Sequence, residues 1–119
     1  LRRLVFFVEY MKTIRNNDIS GLKDKTCLIL MYFTATWCGP CQRIKPLIQA
    51  LSDGLEEEKV EIYMVDLDEN DTLVEELKVR SVPTFYLFHH KELLGQCSGA
   101  DITQVHALLK AHMKPDEET

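Results

Sequence analysis

The chain has 119 residues, 45% of them hydrophobic, enough to bury a core in one domain without metal or disulfide staples. Its 14 Lys and Arg against 19 Asp and Glu leave a net charge of −5, and the basic residues are scattered, which argues against nucleic acid or an anionic membrane as the main partner. No stretch approaches the ~18 apolar residues that cross a bilayer, and four cysteines are too few for a disulfide scaffold at this length, so the chain reads as intracellular, in a reducing compartment.

Residues 1–10 are apolar, with Arg2 and Arg3 near the front. Their apolar centre is short for a secretory signal. They read as an N-terminal extension, packed or loose, with the remnant of an organellar targeting segment as the alternative. Residues 11–15 form a weak first strand. Asn16, Asn17 and Asp18 then offer caps for a short helix over 19–22. The run Leu28, Ile29, Leu30, Met31, Tyr32, Phe33 is too short for a lone helix and predicts a buried strand over 28–34.

Next, apolar residues recur at Ile44, Leu47, Ile48, Leu51 and Leu55, one face of a helix from about Pro40 to Leu55. Pro46 lies inside it and should kink it. Residues 60–66 alternate apolar side chains on both parities and predict a strand buried on both faces. Thr72, Leu73, Val74 and Glu75 fit a capping box for a short helix ending near Leu77. Residues 84–88 are an aromatic-rich strand. Residues 89–91 turn it into a partner strand over 93–98, which Gly99 ends. Asp101 caps a last helix carrying Ile102, Val105, Leu108, Leu109 and Met113. Residues 114–119 read as a frayed tail. The order βαβαβαββα is that of an α/β domain over residues 11–113. It implies a central mixed sheet flanked by helices, with a C-terminal antiparallel hairpin.

The chemistry concentrates at Trp37, Cys38, Gly39, Pro40 and Cys41, between the buried strand and the amphipathic helix. Unpaired N–H groups and the dipole at a helix start favour a thiolate. Two cysteines spaced by two residues there make a redox dithiol. Zinc sites use the same spacing, but this is the one close cysteine pair, Cys27 and Cys97 lie far away, and His89 and His90 are the only clustered histidines. No metal site is expected.

This box, with Val82-Pro83-Thr84 some forty residues later and Ser98-Gly99-Ala100 beyond it, resembles the thioredoxin family over roughly residues 11–113. The resemblance implies a thioredoxin fold, and a cis bond before Pro83 that faces the dithiol. It implies a thiol–disulfide oxidoreductase that reduces protein disulfides by exchange. Cys38 is then the nucleophile, with its sulfur toward solvent, and Cys41, one turn further in, the resolving thiol. Trp37, Gly39, Pro40 and Pro83 support the site. Trp37, Val82, Pro83, Gly99 and Ala100 form an apolar rim on which an extended substrate chain lies. The resemblance implies that the chain holds no cofactor and that electrons come from NADPH through a separate flavin-dependent thioredoxin reductase. The expected partners are that reductase and disulfide-containing proteins, and the expectation is a monomer in the cytoplasm.

The pattern also breaks. Thioredoxins usually carry a buried aspartate six residues before the nucleophile, where this chain has Tyr32. Tyrosine, with an ordinary pKa near ~10, is a poor base at neutral pH. Core packing with a bonded hydroxyl is the expectation for Tyr32, with slower release of mixed disulfides and a shifted redox poise as its consequence. Met64 makes the same region more apolar, and Lys91 stands in a turn where relatives often have glycine. These departures keep a thioredoxin-fold adaptor with weak redox activity as the alternative. Elsewhere, Cys27 and Cys97 read as buried and unreactive. His106 and His112 read as surface residues, Asp66 to Asp71 as a solvated loop, and Glu56 to Lys59 as an exposed helix end.

Overall fold

The computed structural model describes residues 11–56 and 58–113, so the extension at 1–10, the tail at 114–119 and Glu57 lie outside it. Five strands, β1 (Lys12–Ile14), β2 (Leu28–Thr34), β3 (Val60–Asp66), β4 (Thr84–His89) and β5 (Glu92–Ser98), form one sheet in the order β1-β3-β2-β4-β5. All seven residues of β2 are buried, as its unbroken apolar run predicts, and this strand is the middle of the sheet. β1 and β3 run parallel, β3 and β2 parallel, while β4 and β5 are antiparallel to their neighbours.

The alternation of side chains along β2 divides the core in two. Leu28, Leu30 and Tyr32 pack with Ile44 and Ile48 of α1 (Gly39–Gly54) and with Val105 and Leu109 of α3 (Ile102–His112). Ile29, Met31 and Phe33 face the other way, toward Leu73 of α2 (Asp71–Glu76), Val79, Tyr86 and Leu22. The mixed sheet between helices is what the element order predicts, and it is the thioredoxin fold that the resemblance implies.

Several local expectations shift. The first helix is a single 3-10 turn over Ser20–Leu22, with the Asp18 carboxylate accepting both the N–H (3.0 Å) and the hydroxyl (2.7 Å) of Ser20. α1 begins and ends one residue early. Glu56 and Lys59 pair at 3.0 Å in a turn beyond it. α2 starts at Asp71, so Thr72 is already helical and the predicted capping box does not form. The N–H of Leu73 donates instead to Asn17 Oδ1 at 2.8 Å, a cap supplied from 56 residues away. His89 belongs to β4, with Nε2 3.1 Å from the Thr26 carbonyl oxygen. The turn narrows to His90 and Lys91, at φ 52° and 71°, the left-handed pair that a two-residue hairpin needs. β5 therefore starts at Glu92. Cys27 is buried as expected, but Cys97, on edge strand β5, is only half-buried.

Asn70 ties these parts together. It is fully buried, donates from Nδ2 to the carbonyls of Ile14 (3.0 Å) and Asp66 (2.9 Å), and accepts the Asn17 N–H at 2.8 Å. It thereby pins the 3-10 turn Leu67–Glu69 between β3 and α2. Asn70→Ala leaves buried backbone groups without partners and should lower stability by about 2–3 kcal/mol in urea unfolding; a loss within error of zero would show that solvent replaces those bonds.

Candidate active site

The site forms where β2 runs out. Beyond Thr34 the chain stays buried at Ala35, then surfaces at Trp37, 66% exposed. Cys38 follows as the N-cap of α1, with φ −93° and ψ 111°, and Pro40 sits in the first turn, where its missing N–H costs nothing. An N-cap side chain faces the unpaired N–H groups of its helix. Here that side chain is a sulfur: Cys38 Sγ accepts the Cys41 N–H at 3.1 Å. The two sulfurs are joined as a disulfide, with Cα atoms 5.3 Å apart.

Cys38 is 5% exposed and Cys41 not at all. The order of accessibility is the expected one, but Cys38 is not the open, solvent-facing sulfur that the resemblance implies. Val82 packs against the cluster of Ala35, Cys38 and Cys41, and its carbonyl oxygen lies 3.8 Å from Cys38 Sγ. The Val82–Pro83 bond is cis. The Pro83 carbonyl accepts the Gly99 N–H at 2.9 Å, and Gly99 sits at φ 100°, a conformation that side chains disfavour. The fold thus brings Trp37, Val82, Pro83 and Gly99 to one edge around the disulfide, with Ala100 exposed beside Gly99.

Sequence reasoning missed Asp68. The Trp37 indole Nε1 donates to Asp68 Oδ2 at 3.1 Å, and the Asp68 N–H is held by Asp66 Oδ1 at 2.8 Å. The acidic run that read as a solvated loop therefore anchors the exposed indole. A tryptophan N–H in a half-wet position needs an acceptor, and that was the available signal. Arg43 was also missed. A Cβ added at Gly39 would lie 3.5 Å from Arg43 Nη1, so a guanidinium rests beside the dithiol loop.

Behind the disulfide, Tyr32 is fully buried, stacked on Phe85 with ring centroids 5.2 Å apart, and its hydroxyl donates to the Cys41 carbonyl at 2.7 Å. Burial pushes its pKa above the ordinary tyrosine value, against a smaller opposing effect of the Thr34 hydroxyl. Tyr32 therefore stays neutral and braces the first turn of α1. Thr34 Oγ1 is itself buried without a hydrogen bond of good geometry. Met64 lies directly opposite Tyr32 on β3 and packs against the same core.

The thioredoxin family model matches residues 10–113. The chain is 35% identical to a thioredoxin of Malassezia sympodialis over 85 residues, covering 71% of this chain and 81% of that one. It is 34% identical to the Homo sapiens thioredoxin over 98 residues, 82% of this chain and 90% of that one. The solved Fasciola hepatica thioredoxin superposes with a TM-score of 0.78 at 31% identity, covering 86% of this chain and 99% of the other. The chain belongs to the thioredoxin family. It is a thiol–disulfide oxidoreductase, a protein disulfide reductase that works by exchange through the Trp37–Cys41 box, and its substrates are disulfide-containing proteins.

Among the described residues no group of three His, Cys, Asp or Glu could hold a metal ion. Burial raises the pKa of Cys27, with the Glu61 carboxylate adding to it. Burial and then Asp101 do the same at Cys97. Both thiols are therefore poor nucleophiles at neutral pH.

Trp37 is the only tryptophan, so its tether can be followed directly. Asp68→Ala should lower its fluorescence anisotropy and reduce kcat/KM for a protein disulfide by roughly two- to tenfold, the worth of one hydrogen bond. Unchanged anisotropy would mean that packing alone fixes the indole.

Proposed function

We propose that Cys38 is the attacking thiolate and Cys41 the resolving thiol of a general protein disulfide reductase. One observation carries this reading: the sulfur at the N-cap of α1 accepts an N–H from its own partner cysteine and is the less buried of the pair. In the reduced protein the same N–H and the helix dipole favour a thiolate at Cys38. That thiolate attacks one substrate sulfur, the substrate S–S bond breaks, and the other substrate sulfur leaves and takes up a proton. Cys41, once deprotonated, attacks Cys38 Sγ, which expels the second substrate sulfur as a thiol. The substrate gains two electrons and two protons, and the Cys38–Cys41 disulfide is left behind.

Re-reduction needs an outside dithiol; we assign it to a thioredoxin reductase drawing on NADPH. The rim of Trp37, Val82, Pro83, Gly99 and Ala100 takes the substrate chain in extended form, with Gly39, Pro40 and Pro83 shaping the approach. The Val82 carbonyl beside Cys38 Sγ supports that pose. The protein acts as a monomer in a reducing compartment, the cytoplasm. Bond formation between the two sulfurs favours this reading over an adaptor that holds partners through Trp37 and Pro83 alone.

The test is trapping. Cys41→Ser should accumulate mixed disulfides on Cys38 in a cell lysate, released by dithiothreitol and lost when Cys38 is also changed to Ser. An equal harvest from the double variant would remove Cys38 from the mechanism.

Tyr32 sets a second test. A neutral, bonded hydroxyl cannot take the Cys41 proton, so resolution runs without a built-in base. Tyr32→Asp should speed the second step in single-turnover reduction, by up to about a hundredfold where the carboxylate acts as a general base. Tyr32→Phe should leave the pH profile of that step unchanged between about pH 5 and 9. Equal rates for wild type and Tyr32→Asp would end the idea that the missing carboxylate limits resolution.

A further inference from the structure

A cleft of about 520 Å³ opens on the sheet face opposite α1, within the size range of small-molecule sites. Its floor is Ile29 and Met31 of β2 with Phe88 of β4; its walls are Leu73 of α2, Leu77 just past the end of α2, and Leu22 of the first 3-10 turn. None of the dithiol or rim residues lines it. The cleft has a structural origin. The link between β1 and β2 folds only as the single turn Ser20–Leu22, which leaves Leu22, Leu77 and Phe88 half-buried above the buried Ile29 and Met31.

Its mouth is unlike the rest of the molecule. The chain carries a net charge of −5, yet among the described residues the lining holds Lys23, Lys25, Lys91 and His90 and no carboxylate. Lys25 is paired with Glu61 at 3.2 Å, and Glu61 is further held by the Tyr63 hydroxyl. The nearby Asp18 carboxylate is occupied by Ser20. Among the described residues that leaves Lys23 and Lys91, both exposed, as the lysines available to a guest.

An apolar interior under a cationic mouth matches one ligand chemistry: a single apolar chain ending in one anionic group. We propose that this cleft binds an amphipathic carboxylate, its tail against Ile29, Met31, Leu73 and Phe88 and its head on Lys23 and Lys91. The chain's own apolar segment at 1–10 is a poorer electrostatic match, because Arg2 and Arg3 near its front repeat the charge of the mouth.

The full chain, 15N-labelled, is titrated with dodecanoate below its critical micelle concentration, and with dodecyltrimethylammonium under the same conditions. Saturable shifts should appear with dodecanoate at amides of residues 19–31, 73–77 and 88–91, and not with the cation. The surface variant Lys23→Glu/Lys91→Glu, its other amide positions unchanged, should bind dodecanoate at least about tenfold more weakly. Disulfide reduction should proceed equally in the variant. The assignment is overturned by shifts spread over the whole surface, by no saturation, by equal binding of the cationic amphiphile, or by undiminished binding in the variant.

Discussion

One contact organises the chemistry: a cysteine sulfur standing where a helix offers its first unpaired N–H groups. Cys38 could have been one more buried thiol. Its place at the N-cap of α1, accepting the Cys41 N–H, puts it where the backbone itself stabilises negative charge. The rest of the fold serves that placement. A fully buried β2 sets the height at which the chain leaves the sheet. Pro40 starts the helix without wasting a donor. Tyr32 reaches from the strand to the Cys41 carbonyl and ties strand to helix one turn below the sulfurs. A slip of one residue in β2 would turn Tyr32 to the other face and release that tie.

Tyr32 also shows how stability and reactivity separate here. Stacked on Phe85, bonded to a backbone carbonyl and opposite Met64, it belongs to an apolar core. A carboxylate in that position would be desolvated and would stay charged only with help from its neighbours. The tyrosine removes that cost and with it the nearest proton acceptor. On the proposed mechanism, the packing that Tyr32 gives the core comes without a base for the second chemical step. The hydroxyl of Thr34 is, among the described residues, the buried side-chain polar atom left without a hydrogen-bond partner.

The readable parts of this chain were those governed by local pattern. An unbroken apolar run gave β2 to the residue, Asp101 capped α3 as its side chain demands, and the Cys38–Cys41 spacing at a strand-to-helix junction gave the dithiol. The misread parts depend on residues distant in sequence. Thr72 has a capping box written around it, yet Asn17 caps α2 because Asn70 draws the two loops together. Cys97 read as buried because free cysteines usually are, but it lies on a strand that is at the edge of the sheet among the described residues. Asp68 read as solvent-facing because nothing local shows that a tryptophan 31 residues earlier ends beside it.

Asp68 and Asn70 together explain how an exposed ring holds its place at the mouth of the site. Asn70 clamps the end of β1, the end of β3 and the start of α2 around a three-residue turn. That turn carries Asp68, whose N–H is already fastened to Asp66. The carboxylate that meets Trp37 is therefore fixed at its backbone before it touches the indole. An exposed side chain loses rotamer freedom when it is held, and one hydrogen bond to a mobile partner would recover little of that loss. A partner whose backbone is already fixed gives up only the rotamer freedom of its own short side chain on accepting the indole N–H. The acceptor offered to Trp37 thus stands on a turn held by an asparagine whose own hydrogen bonds go to neither the ring nor the sulfurs.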